Sequence, residues 1–143
     1  MSLLYADYIH DYEVRSCFTK EFISLWPGWL GKDNLHKLDE VTEAEWERFN
    51  NLLRTISESY DLFVLDSETE SIVGVDNINS HLDSYAVSMS KAANQFSRFV
   101  IPKLECVVTE EWDYTYIIWH KGNEAVESLS SLIHRAGLYN FSD

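Results

Sequence analysis

Proline and glycine are scarce in this chain, 2 and 5 of 143 residues. That excludes a low-complexity linker and leaves long stretches free to form regular structure. Cysteine is equally rare: Cys17 and Cys106 allow at most one disulfide and no zinc ribbon. Each sits among apolar neighbours, in "VRSCF" and "LECVV", so both read as small buried hydrophobes in a reducing compartment.

Positive charge is the third shortage. Lys and Arg number 11 against 24 Asp and Glu, a formal net charge of −13 at pH 7. This balance opposes phosphate backbones, which require lysine and arginine for counterion release, and equally opposes anionic membrane surfaces. No apolar run is long enough to span a bilayer, and "MSLLYADYIHDYEV" lacks the basic start of a secretory leader. Asn140-Phe141-Ser142 has the spacing of a glycosylation acceptor, but without a leader it is set aside. The expectation is a cytoplasmic protein that binds neither nucleic acid nor membrane.

Signatures of catalysis are also missing. The histidines His10, His36, His81, His120 and His134 never form H-E-x-x-H, and neither C-x-x-C, G-x-S-x-G nor a phosphate loop occurs. His81 with Asp83, or His120 with Glu124, offers only a pair of ligands, and a solvated histidine is the simpler reading of each. No catalytic residue, metal or cofactor is therefore expected. Paired carboxylates beside aromatic rings would suit a small carboxylate-dependent hydrolase, but among 24 acids any two would qualify.

What is present is core material: 45% hydrophobic and 14% aromatic residues, enough for a single domain over residues 1–143. Val14, Cys17, Phe18, Phe22 and Leu25 recur at helical spacing and predict a first helix, stopped by Pro27. "TEAE" is a capping box in which Thr42 and Glu45 satisfy each other's backbone amides. It opens a second helix with the stripe Trp46, Phe49, Leu53 and Ile56, ending near Ser59. "YDLFVLD" and "SIVGVDN" flank the acidic "SETE" and predict a hairpin pairing 62–65 with 72–75. After Ser80, the stripe Leu82, Tyr85, Met89, Ala92, Ala93, Phe96 and Phe99 predicts a third helix, bounded by Pro102. "LECVVT" and "YTYIIWH" form a second hairpin. Asn123 caps a last helix with Val126, Leu129, Ile133 and Ala136 inward and Gly137 at its end, and "LYNFSD" docks on the body. The order contains no βαβ rhythm. It predicts an α+β domain: an antiparallel sheet of about four strands in two hairpins, with about four helices packed mainly on one face.

The second hairpin carries the least economical turn. "EEWDY" puts Glu110, Glu111, Asp113 and Trp112 where small turn residues would relieve strain, with Tyr114 following. A tryptophan framed by acids has the composition of an interface anchor, unless it folds back onto a helix. Asp66, Glu68 and Glu70 repeat the acid at the other turn, and side by side the turns would make one anionic face. Acid around the start of the second helix (Asp39, Glu40, Glu43, Glu45, Glu47) complements its dipole instead. In "LWPGWLG" two tryptophans flank Pro27-Gly28, first of all a way to pin a loop. Together these features suggest a binding protein that neutralises a basic protein partner. By charge and size, one class of that kind is a bacterial immunity protein or antitoxin covering a cationic nuclease toxin, another a mimic of DNA phosphates that occupies a DNA-binding protein. The acids and Trp112, with Tyr114, would make the contact. An accessory subunit of a larger assembly would expose a broad apolar patch instead.

Overall fold

The structure is a computed structural model and describes residues 2–143. Its centre is a sheet of seven strands, antiparallel at every pairing. A short ribbon, β1 (Ile9–His10) with β2 (Glu13–Val14), precedes it. The strands of the sheet are β3 (Thr19–Ser24), β4 (Phe63–Asp66), β5 (Ser71–Gly74), β6 (Arg98–Ile101), β7 (Cys106–Glu111), β8 (Thr115–His120) and β9 (Tyr139–Phe141). Their order across the sheet is β5-β4-β6-β7-β8-β3-β9. The α-helices are α1 (Glu43–Ser59), α2 (Tyr85–Ser90) and α3 (Asn123–Arg135).

The α+β class stands, and both predicted hairpins form, β4 with β5 and β7 with β8. The sheet is larger than the expected four strands, for three local reasons. Residues 19–24 form a strand where a helix was predicted: Ile23 packs under the helices while Phe22 stacks on Phe141, so the two residues serve opposite faces. A segment buried between two other strands satisfies its backbone through them, and its aromatic and β-branched residues suit the pleat. Residues 98–101, read as the end of a helix, insert between β4 and β7 and supply Phe99 and Ile101 to one core and Val100 to the other. The C-terminal tail becomes the edge strand β9, paired to β3.

Alternation along the strands makes two cores. On the first face, Ile23, Phe99, Val108 and Ile118 meet Phe49, Leu53 and Ile56 of α1 and Leu129 and Ile133 of α3. Each such side chain contributes about 1.5–3 kcal/mol when fully withdrawn from water. On the second face, the N-terminal segment lays Tyr8, Ile9 and Phe18 over Leu65, Val100 and Val107.

The start of α1 and the end of α3 follow the sequence. Asn123, expected as the cap of α3, instead lies inside it, and Gly122 holds the cap position without a side-chain bond. Thr42 Oγ1 accepts from the Glu45 amide at 3.2 Å while the Thr42 amide donates to Glu45 Oε1 at 3.1 Å, and this backbone bond leads the forces holding the Glu45 carboxyl below its ordinary range. After α3, Gly137 takes φ +82°, its amide donates to the His134 carbonyl, and the Leu138 amide reaches back to Ile133. Those bonds form a Schellman cap.

Cys106 is buried, but Cys17 is exposed, which corrects the expectation of two buried thiols; neither is in a disulfide. Among the described residues no helix is long and apolar enough to cross a membrane.

Candidate functional site

The register places both acidic turns at one end of the sheet. Phe63 pairs with Val100, which pairs with Val107; Val64 pairs with Phe99, which pairs with Val108. Strands β4 and β7 therefore run the same way with β6 between them, and the turns that follow both emerge at the same end. Strand β3 also ends there, since Ser24 pairs with Thr115. The 25–31 loop, "LWPGWLG", leaves from this point.

The β7–β8 turn comprises residues 112–114, shorter and later than "EEWD". Asp113 and Tyr114 both adopt left-handed backbone, φ 60° and 56°. Asp113 tolerates that region, but a bulky tyrosine does so at a cost of about 1–2 kcal/mol. Its surroundings hold it there: the Tyr114 hydroxyl donates to Met89 Sδ at 3.6 Å, and the ring packs against the first core. Burial, then a hydrogen bond with Tyr85, pushes the Tyr114 phenol up to about 12. Trp112 at the tip is 59% exposed and touches the ring of Phe96 edge-on at 4.7 Å.

The neighbouring acids have separate fates. Glu110 points into the first face, buried, where Lys91 Nζ donates to Oε1 at 2.6 Å and the Ser97 amide at 2.9 Å. Lys91 also pairs with Asp83. Glu110 therefore belongs to an internal ion triad and does not sit at the tip. Burial pulls the Lys91 ammonium down, but hydrogen bonds and charge from Asp83 and Glu110 outweigh it, and the net shift is upward.

Glu111 faces the other way. Thr109 Oγ1 donates to Glu111 Oε2 at 2.8 Å and itself accepts from Trp119 Nε1 at 2.8 Å, a short relay that fixes the carboxylate on the second face. Asp113 is exposed beside it. At the other turn, Asp66 Oδ1 accepts from the Glu68 and Thr69 amides at 3.0 and 3.3 Å, and Glu68 and Glu70 are exposed. Among the described residues none of Glu111, Asp113, Asp66, Glu68 and Glu70 forms an ion pair. Burial pushes the Tyr5 phenol up; nearby Arg98 lowers it, while Glu70 and Asp66 raise it further.

Trp112 stands between two clefts. That on the first face, about 330 Å³, is lined by Trp46, Met89, Phe96 and Tyr116 and reaches Asp39. The cleft on the second face, about 370 Å³, is lined by Phe22, Ile117, Trp26, Trp29, Leu35 and Trp112. The Trp29 ring leans edge-on against Phe22 at 4.7 Å and Phe141 at 5.0 Å, with its indole nitrogen donating to Asp143 at 3.1 Å. The site thus gains Trp29 and Leu35, which sequence reasoning left outside it; the tryptophan pair around Pro27-Gly28 was the available signal. Nothing in the chain pattern marked Lys91 as the internal partner of Glu110.

Among the described residues no group of three or more His, Cys, Asp or Glu side chains could hold a metal ion. His120 is buried with Nδ1 3.0 Å from the Gly122 carbonyl oxygen. No family model, no curated protein and no solved structure matches this chain.

Proposed function

We propose that this is an acidic binding protein that docks a basic protein through the end of its sheet where both acidic turns emerge, and so neutralises it. One observation carries the reading: Trp112 is 59% exposed at a turn whose flanking carboxylates, Glu111 and Asp113, form no ion pair among the described residues. Beyond its edge contact with Phe96, the exposed indole among uncompensated charges gives the monomer little. Both become favourable when a partner covers the ring and supplies positive charge. The exposed acids Glu68 and Glu70, with Asp66, extend the same field from the neighbouring turn. An inhibitor of a cationic enzyme acting on nucleic acid, of the immunity or antitoxin kind, is the biological role that this charge and size suit best. Glu110 is left out of the contact, because Lys91 already neutralises it.

The test is to immobilise the protein, pass lysate from its source organism over it at low salt, and elute with a salt gradient. The expected result is one basic protein retained well beyond moderate salt. A mixture of basic proteins leaving early would reduce the net charge of −13 to a solubility device. With the purified partner, Trp112→Ala is expected to speed dissociation about tenfold or more, as a central aromatic anchor should. Joint Glu68→Gln and Glu70→Gln substitution is expected to slow association and flatten its salt dependence, leaving dissociation nearly unchanged.

A further inference from the structure

We infer that the cleft lined by Trp29 and Trp112 receives an arginine side chain of the partner, an assignment that rests on the basic-partner reading above. The cleft joins two features that call for one occupant. Much of its lining is apolar, and Trp29 and Trp112 within it are 56% and 59% exposed. Yet Glu111 and Asp113 stand on the Trp112 side, and no lysine or arginine is among the residues lining it.

Glu111 is also not a free surface acid. The relay from Trp119 through Thr109 holds one of its oxygens at 2.8 Å, so the carboxylate is oriented before anything binds. An entirely apolar occupant would strip water from these acids and return no hydrogen bond. A second copy of this chain would bring another −13 of charge to the same place. A cation on an apolar stem meets both demands, its methylenes covering the exposed Trp29 and Leu35 while its charge reaches the acids. Arginine suits better than lysine. Its planar guanidinium stacks on an indole while its fork donates to a carboxylate, and it sheds water more readily than an ammonium.

The test uses two capped peptides of equal length and charge in a Gly-Ser background, one carrying arginines and the other lysines. They are titrated at low salt into protein whose indole N–H signals are resolved by NMR. The arginine peptide is expected to shift the Trp29 and Trp112 signals, leave that of buried Trp46 in place, and bind about tenfold tighter than the lysine peptide. Glu111→Gln keeps an acceptor for Thr109 and should abolish the preference for arginine. Glu68→Gln makes the same charge change at the other turn and should keep it. Equal affinity for both peptides, with no selective indole shift, would overturn the arginine site while leaving the basic-partner reading intact. Binding of neither peptide would remove both.

Discussion

Cys106 illustrates how one buried residue ties stability to pH. Burial pushes its thiol from 9.0 up to about 12. The folded state therefore keeps a proton that the unfolded chain releases near pH 9, so stability is intact below that pH and falls as pH rises toward 12. The phenol of Tyr8, pushed up to about 12 by burial and then by Asp7, acts in the same direction over the upper part of that range. Cys106→Ala is expected to flatten the pH dependence of the unfolding free energy in this window by up to about 1.4 kcal/mol per pH unit. Urea unfolding across the range measures it, and an unchanged slope would mean the thiol is not buried as described. The burial of Cys106 was legible from its apolar neighbours on a strand. The same reasoning failed for Cys17, because it precedes the strand and lies in a turn. Adjacent acids diverged for a related reason: Glu110 and Glu111 occupy opposite faces of β7, and only the strand register decides which one meets Lys91.

Among the elements, the stretch from Leu82 to Phe99 departs furthest from its pattern. Its apolar spacing suits a helix, yet α2 ends at Ser90 and Lys91 turns extended, with ψ 146°. Continuing the helix would carry Lys91 away from the carboxylates that hold it and deny β6 its place in the sheet. Tertiary hydrogen bonds and the ion triad outweigh local helical preference here. With Lys91 and Glu110 side chains only 8% and 9% exposed, losing the amine leaves the buried Glu110 carboxylate without its cation, beside a partly exposed Asp83. Lys91→Met is expected to destabilise the fold by about 3 kcal/mol, toward the lower end for a broken buried pair because Asp83 is partly solvated. Adding Glu110→Gln should recover part of that loss. Chemical denaturation of the single and double variants checks both, and a neutral Lys91→Met would show that the triad does not anchor this segment. By contrast, α1 follows its sequence from end to end, because its cap and stripe are local and agree with the packing they meet. Helix α3 keeps its Gly137 end, but Ala125 rather than Val126 turns inward.

At the scale of the molecule, one sheet carries a core on each face, with helices over one and the N-terminal segment over the other. Val100 and Val107 sit under the ribbon while their strand neighbours Phe99 and Val108 sit under α1 and α3, so neither core can open without disturbing the other. A single cooperative transition is expected, with far-UV circular dichroism and tryptophan fluorescence coincident; separate midpoints would mark the ribbon as an independent unit. The sequence by itself determined the acidity, the α+β class, the two hairpins, the capping box of α1 and the Gly137 cap of α3. These depend on composition, on period and on residues within a turn of one another. Only the tertiary structure decided that residues 19–24 and 98–101 are strands, that Glu110 is neutralised from within, and that Trp29 and Trp112 line one cleft. Those outcomes depend on which strands become neighbours, and neighbours far apart in the chain leave no period to read.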